Sequence, residues 1–166
     1  MILQKLARIA KIRRNEDGSM VIETAFVAPI LLVMALGGFE VSTIVARQTE
    51  LQSAAAEAAA IVRAVIPEDA DARNTVRDIV ATSICKGKTR TTILGRSTCG
   101  TTSVAVNRRW RCGTAGDYVI LSGTCGSATE YKFIRVNIQD TYTPMWTNFG
   151  VGSAITYNIS RTVQIG

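Results

Sequence analysis

The sequence contains no histidine, and no cysteine occurs before residue 85. The missing histidine removes the most frequent general base and the most frequent metal ligand. No nucleophile elbow, metal-binding motif or phosphate-binding glycine loop is present either. We therefore expect a non-enzymatic protein that needs no cofactor and binds no metal ion.

Acidic residues are outnumbered by basic ones, 13 to 19, but half of the resulting charge of +6 is local. Five lysines and arginines precede residue 15, against Glu16 and Asp17 alone, so residues 1–18 carry +3. The remaining chain is only mildly basic, and no nucleic-acid partner is expected. One basic and aromatic cluster, residues 108–111, could contact an anionic surface. Because only one such cluster is present, we interpret it as part of a solvated loop or strand edge.

The four cysteines all lie in the second half of the chain, at Cys85, Cys99, Cys112 and Cys125. Their wide, nearly even spacing lacks the close pair that structural zinc sites use. An even number of cysteines fits two disulfides in an oxidising compartment. Of the three pairings, we favour the neighbour pairing of Cys85 with Cys99 and of Cys112 with Cys125, which the spacing alone does not decide.

A long apolar stretch follows the basic leader. Residues 24–46 contain a single charge and would extend about 34 Å as a helix, enough to cross a hydrocarbon core of about 30 Å. The basic residues on its amino-terminal side predict a cytoplasmic amino terminus. The cysteine-bearing part is then periplasmic or extracellular, which agrees with the predicted disulfides.

The next segment, residues 47–66, continues the helix as an amphipathic one. Apolar residues recur at three- and four-residue steps, whereas Arg47 and Glu50 are expected off this stripe. Pro67 should end the helix. A second, shorter helix is predicted to bury one face. The apolar stripe of the first helix is Leu51, Ala54, Ala55, Ala58, Ile61, Val62 and Val65, and that of the second is Ala72, Val76, Ile79 and Val80.

Beyond Cys85 the pattern changes to short strands. Strict alternation around 134–139 and 155–163 gives the strongest signals, and 101–106 and 118–121 give weaker ones. We predict an α+β fold in which a small antiparallel sheet packs on the second half of the long helix. The expected organisation is a leader (1–18), a transmembrane helix (19–46), an amphipathic helical region (47–84) and a disulfide-bearing, β-rich head (85–166).

The junction between the leader and the apolar stretch is the most informative segment. Gly18 and Ser19 end the charged leader, and Glu23 stands at the mouth of the apolar helix. A carboxylate there is costly unless it has a partner or reaches water. From composition alone, we interpret Glu23 as a charge at the membrane interface whose carboxylate reaches water.

The wider pattern favours a specific role. The segment resembles the prepilin and pseudopilin signature, and most closely the TadE/TadG-like family of tight-adherence (Flp) pilus systems. In that family a glycine, a glutamate, an alanine, a proline, a leucine run, a glycine and a second glutamate occur in order. The corresponding residues here are Gly18, Glu23, Ala25, Pro29, Leu31-Leu32, Gly37 or Gly38, and Glu40. Thr24 departs from the pattern, since an aromatic residue is usual at that position.

The resemblance implies a pilin-like minor pseudopilin that takes part in assembly or initiation of an adhesive pilus. A prepilin peptidase would cut between Gly18 and Ser19, and Glu23 would serve assembly with other pilins and inner-membrane machinery. Pro29 is expected to bend or loosen the span. Glu40, about 25 Å beyond Glu23 along the helix, is interpreted as a solvated charge near the outer interface.

Two other interpretations remain open. The chain could be a signal-anchored envelope protein of the inner membrane that never enters a filament. It could also be a secreted protein with a cleaved signal, although its apolar segment is longer than the 7–15 residues usual for such signals.

Overall fold

The computed structural model describes residues 17–166, which form two α-helices and a six-stranded antiparallel sheet. The chain divides into two units between Thr43 and Ile44, and the second unit is Ile44–Gly166. The second unit, called the head below, contains the last part of the long helix, the short helix and the whole sheet. The predicted α+β architecture is confirmed.

Helix α1 is a single element, Asp17–Val65, of 49 residues. At 1.5 Å per residue it is about 73 Å long. It ends where predicted, because Pro67 excludes the helical conformation for the residue before it. That residue, Ile66, has a φ of +48° and closes the last turn by donating its N–H to the Val62 carbonyl at 2.9 Å.

Helix α2, Ala70–Cys85, begins at a capping residue that the sequence provides directly. The Asp69 carboxylate accepts a hydrogen bond from the Ala72 N–H at 2.7 Å, which satisfies one of the free donors of the first turn. Val76 and Val80 are buried as predicted, but Ile79 is 49% exposed. The buried face is rotated toward Arg77, Ala81 and Ile84, so the prediction for Ile79 is wrong.

The strands of the sheet are β1 Thr91–Ile93, β2 Arg96–Cys99, β3 Thr102–Cys112, β4 Tyr118–Val119, β5 Glu130–Tyr142 and β6 Ile155–Gln164. They pair in the order β1-β2-β3-β5-β6, and β4 pairs with the end of β3. The four predicted strand regions correspond to β3, β4, β5 and β6. The hairpin β1–β2 was not predicted, because its strands are short and mostly polar. Its turn places both Leu94 and Gly95 at positive φ.

The core of the head lies between the sheet and helices α1 and α2. Side chains at alternate positions of a strand point to one face, and the even-numbered residues of β3 and β5 form the core face. From α1 the core receives a stripe of small and branched residues. The predicted stripe holds except at Val65, which is 57% exposed. The buried members from α1 are Leu51, Ala54, Ala55, Ala58, Ala59 and Val62.

Candidate processing and assembly site

The predicted cleavage point lies at the start of the described chain. Most of the predicted leader, residues 1–16, is outside the described residues. Gly18 and Ser19 are in the first turn of α1, and the structure places them five and four residues before Glu23 on one continuous helix. Whether the bond between them is cut stays a prediction.

Glu23 is exposed on a largely apolar part of the helix surface. Met20 is 74% exposed, and Phe26 is 73% exposed. Thr24 stands where the family usually has an aromatic residue. Its hydroxyl donates a hydrogen bond to the Met20 carbonyl at 2.8 Å, so this polar group is paired within the helix. The helix Met20–Val65 is long and apolar enough to cross a membrane, and none of its most apolar window is buried.

The other signature residues lie further along α1. Pro29 is inside the helix, which continues through it without interruption. Because proline has no N–H, the Ala25 carbonyl loses its usual partner at this point. Gly37 is half-buried. Glu40 is only 2% exposed, so the interpretation of Glu40 as a solvated charge is wrong.

A charged network begins about two turns beyond Glu40, at Arg47, and joins α1 to the sheet. The Arg47 Nε donates to Asp140 Oδ2 at 2.7 Å, and another Arg47 nitrogen donates to Glu50 Oε2 at 2.7 Å. The third donates to the Thr102 hydroxyl at 2.9 Å. Lys86, just after α2, also forms an ion pair with Glu50. These contacts tie the helix, the sheet and the end of α2 together.

Asp140 is the buried centre of this network, at 4% exposure. Besides Arg47, it accepts hydrogen bonds from the Thr101 hydroxyl (2.8 Å), the Thr102 hydroxyl (3.0 Å) and the Thr141 N–H (2.9 Å). Burial acts to raise the pKa of Asp140. The hydrogen bonds from Thr101, Arg47 and Thr102 outweigh it and hold that pKa below its usual value.

Sequence reasoning missed this network, although the signal for it is present. Arg47 was expected off the apolar stripe, but it lies four residues before Leu51 and therefore on the same helix face. The alternation of Ile134, Val136 and Ile138, extended by one step, places Asp140 on the core face of β5. Local periodicity therefore places each of the two residues on a buried face, but the pairing itself depends on how the strand lies against the helix.

Both disulfides join the cysteines in the favoured neighbour pairing, Cys85 with Cys99 and Cys112 with Cys125. The first is buried, since Cys85 and Cys99 are 4% and 3% exposed. It connects the end of α2 to the end of β2. The second lies in the half-buried region at the end of β3 and closes the loop that contains β4.

The basic and aromatic cluster at 108–111 lies on β3, half-buried. The guanidinium of Arg108 stands 5.6 Å from the ring centre of Trp110. That of Arg111 stands 5.6 Å from Tyr118 and 5.0 Å from Phe133. These arginines therefore stack on aromatic rings of the same head. Within residues 17–166, no three Asp, Glu or Cys side chains form a group that could hold a metal ion.

Comparison with known proteins agrees with the resemblance. The model of the TadE-like protein family matches residues 18–60, which confirms the family likeness predicted for this segment. The match includes Gly18, Glu23, Pro29 and Glu40 and stops before the first cysteine. No curated protein and no solved structure gives a significant match to the chain.

Proposed function

From the match of residues 18–60 to the TadE-like family model, we propose that this chain is a minor, pseudopilin-like subunit of an Flp-type (Tad) adhesive pilus. Its role is structural rather than enzymatic, in assembly or initiation of the filament. The observation that carries the proposal is Glu23, an exposed carboxylate among exposed apolar residues, five residues after Gly18 on an unbroken helix. Such a surface needs a bilayer or neighbouring helices to cover it, and such a carboxylate needs a partner.

In this proposal the chain is inserted in the bacterial inner membrane with its amino terminus in the cytoplasm. The charge asymmetry around the span supports this orientation, and the disulfides of the head suit an oxidising exterior. A prepilin peptidase cuts between Gly18 and Ser19 at the cytoplasmic edge. Glycine lets a peptidase approach the backbone closely, because it has no side chain.

Cleavage creates a cation that can pair with Glu23. The freed α-amino group of Ser19 is largely protonated at neutral pH. We assign it to the Glu23 carboxylate of a neighbouring pilin, where pairing of opposite charges in a poorly hydrated setting sets the axial register between subunits. A helix that leaves the bilayer with this pair intact avoids exposing an unpaired charge to hydrocarbon.

The experiment replaces Glu23 by glutamine, which keeps the shape and removes the charge. Glu23→Gln should be cut and inserted normally but should fail to crosslink or co-purify with other pilus subunits, and Glu23→Asp should be intermediate. Glu57→Gln is the matched control, because Glu57 is an exposed glutamate of the same helix within the head. Glu40 does not serve as a neutral control, since it is buried.

Assembly of Glu23→Gln at the wild-type level would remove the main support for the proposal. Together with an intact leader after co-expression with the peptidase, that result would favour the signal-anchored envelope protein that stays outside the filament.

A further inference from the structure

The loop between β5 and β6, residues 143–154, carries exposed apolar side chains that the proposed function does not use. Phe149 is 84% exposed, Val151 is 62% exposed and Met145 is 52% exposed. The segment 141–160, which contains this loop, has no charged residue. Large apolar side chains grouped in one uncharged loop indicate a contact surface rather than scattered surface residues.

The loop holds this arrangement by its own structure. Residues Met145–Phe149 form a 3₁₀ turn, and Gly150 ends it at a φ of +74°, with its N–H donated to the Thr147 carbonyl at 3.1 Å. Val151 donates to the Trp146 carbonyl at 3.2 Å. A side chain added at Gly152 would lie 3.8 Å from the indole of Trp146, so the returning chain passes close to that ring. Trp146 is thus half-buried within the loop while Phe149 and Val151 face outward.

Two ion pairs establish which end of the head bears the loop. Asp140 pairs with Arg47 at 2.7 Å, near the start of the head's part of α1. Lys132 pairs with Glu68 at 3.9 Å, beyond the end of α1. Strand β5 therefore runs antiparallel to α1, and its carboxyl end points toward the amino-terminal end of the head.

The strands that flank the loop meet the helix at that same end. The Tyr157 hydroxyl donates to the Ile44 carbonyl at 3.1 Å. Tyr142 lies about 7 Å beyond Asp140 along β5, and Arg47, the partner of Asp140, is the first charge after the apolar stretch 24–46. The loop accordingly continues to the level of residues 44–46, where the apolar stretch ends.

We propose that the loop 143–154 is a second membrane contact, which inserts Phe149, Val151 and Met145 into the headgroup region of the bilayer that holds the apolar helix. Aromatic and apolar side chains without charges are suited to this depth, and Trp and Tyr favour the interface. The contact would add a second point of attachment to the membrane. It requires that the helix spans the membrane, but it does not depend on pilus assembly.

The chain offers a built-in test, because its two tryptophans lie at opposite ends of the head. Trp146 is in the loop, whereas Trp110 pairs with Val119 and Lys132 at the far end. The full chain is reconstituted in vesicles of phosphatidylethanolamine and phosphatidylglycerol that contain lipid brominated high on its acyl chains. In Trp110→Phe, the remaining Trp146 should be strongly quenched. In Trp146→Phe, the remaining Trp110 should be quenched little.

Phe149→Asp, placed in the Trp110→Phe background, should abolish most of the quenching of Trp146. Leu121→Asp is the matched control, because Leu121 is 69% exposed in an uncharged loop at the far end, and it should leave the quenching unchanged. Flotation with the vesicles verifies that every variant keeps its span.

A photoreactive residue at position 149 of the otherwise native chain should label lipid. The proposal is overturned if floated protein shows equal quenching of the two tryptophans, if quenching survives Phe149→Asp, or if position 149 labels only a second protein chain.

Discussion

Replacing Asp140 by asparagine tests whether the charged network anchors the sheet to helix α1. The carboxylate accepts four hydrogen bonds, one of them from the Arg47 guanidinium, and its side chain is 5% exposed. Asparagine has nearly the same shape but carries no charge and has one acceptor oxygen instead of two. Arg47 would lose its buried counter-ion.

Removing one partner of a fully buried ion pair costs about 3–5 kcal/mol. The Arg47 side chain is 22% exposed and keeps its pair with Glu50, so part of its charge stays compensated. We therefore expect Asp140→Asn to lower the free energy of unfolding of the head by about 2–3 kcal/mol. A cycle with Arg47→Met should show coupling of about 0.5–3 kcal/mol, because the two side chains are in direct contact.

The assay is urea unfolding of the full chain in detergent micelles, followed by tryptophan fluorescence. Glu68→Gln is the control, because the Glu68–Lys132 pair is exposed and 3.9 Å long, and it should change stability little. A loss below about 1 kcal/mol in Asp140→Asn, the range of exposed pairs, would refute the anchoring role.

Three further predictions concern the acid dependence of stability, the disulfides and the cleavage point. The folded state lowers the pKa of Asp140, so the Asp140 carboxylate contributes its full stabilisation only above the usual aspartate pKa of about 3.9. The free energy of unfolding should therefore fall as the pH drops through and below that value, and Asp140→Asn should flatten this acid dependence. Replacing Cys85 and Cys99 by serine should lower the free energy of unfolding by about 3 kcal/mol for the opened loop, and by more because two hydroxyls are then buried. Opening the half-buried second disulfide should lower stability less, and equal losses would contradict this prediction. Amino-terminal sequencing after co-expression with the peptidase should begin at Ser19, and an intact leader would contradict the predicted cut.

Much of the fold could be predicted because its signals are local. The apolar run, the stripe from Leu51 to Val62, the stop at Pro67 and the alternation on β5 and β6 each depend on neighbouring residues. Helix and strand periods directly determine which of those residues share a face. The family likeness of residues 18–60 also depends only on local spacing.

Several features depended on tertiary contacts. Ile79 has the right spacing for the buried face of α2, yet packing turns that face toward Arg77 and Ala81. The hairpin β1–β2 has little apolar pattern of its own, and its strand β2 is held by pairing with β3 and by the Cys85–Cys99 disulfide. Glu40 lies near the end of the apolar stretch, which suggested a solvated charge, but its side chain is buried.

The sequence by itself determined the apolar stretch, the spacing of Gly18 and Glu23 and the number of cysteines, since these follow from hydropathy, residue order and residue counts. The tertiary structure alone decided the partner of Arg47 and the end of the head that bears Phe149. Both depend on the antiparallel placement of β5 along α1, which brings residues 93 positions apart into contact. No local periodicity encodes that placement, because it comes from the packing of one whole face of the sheet against the helix.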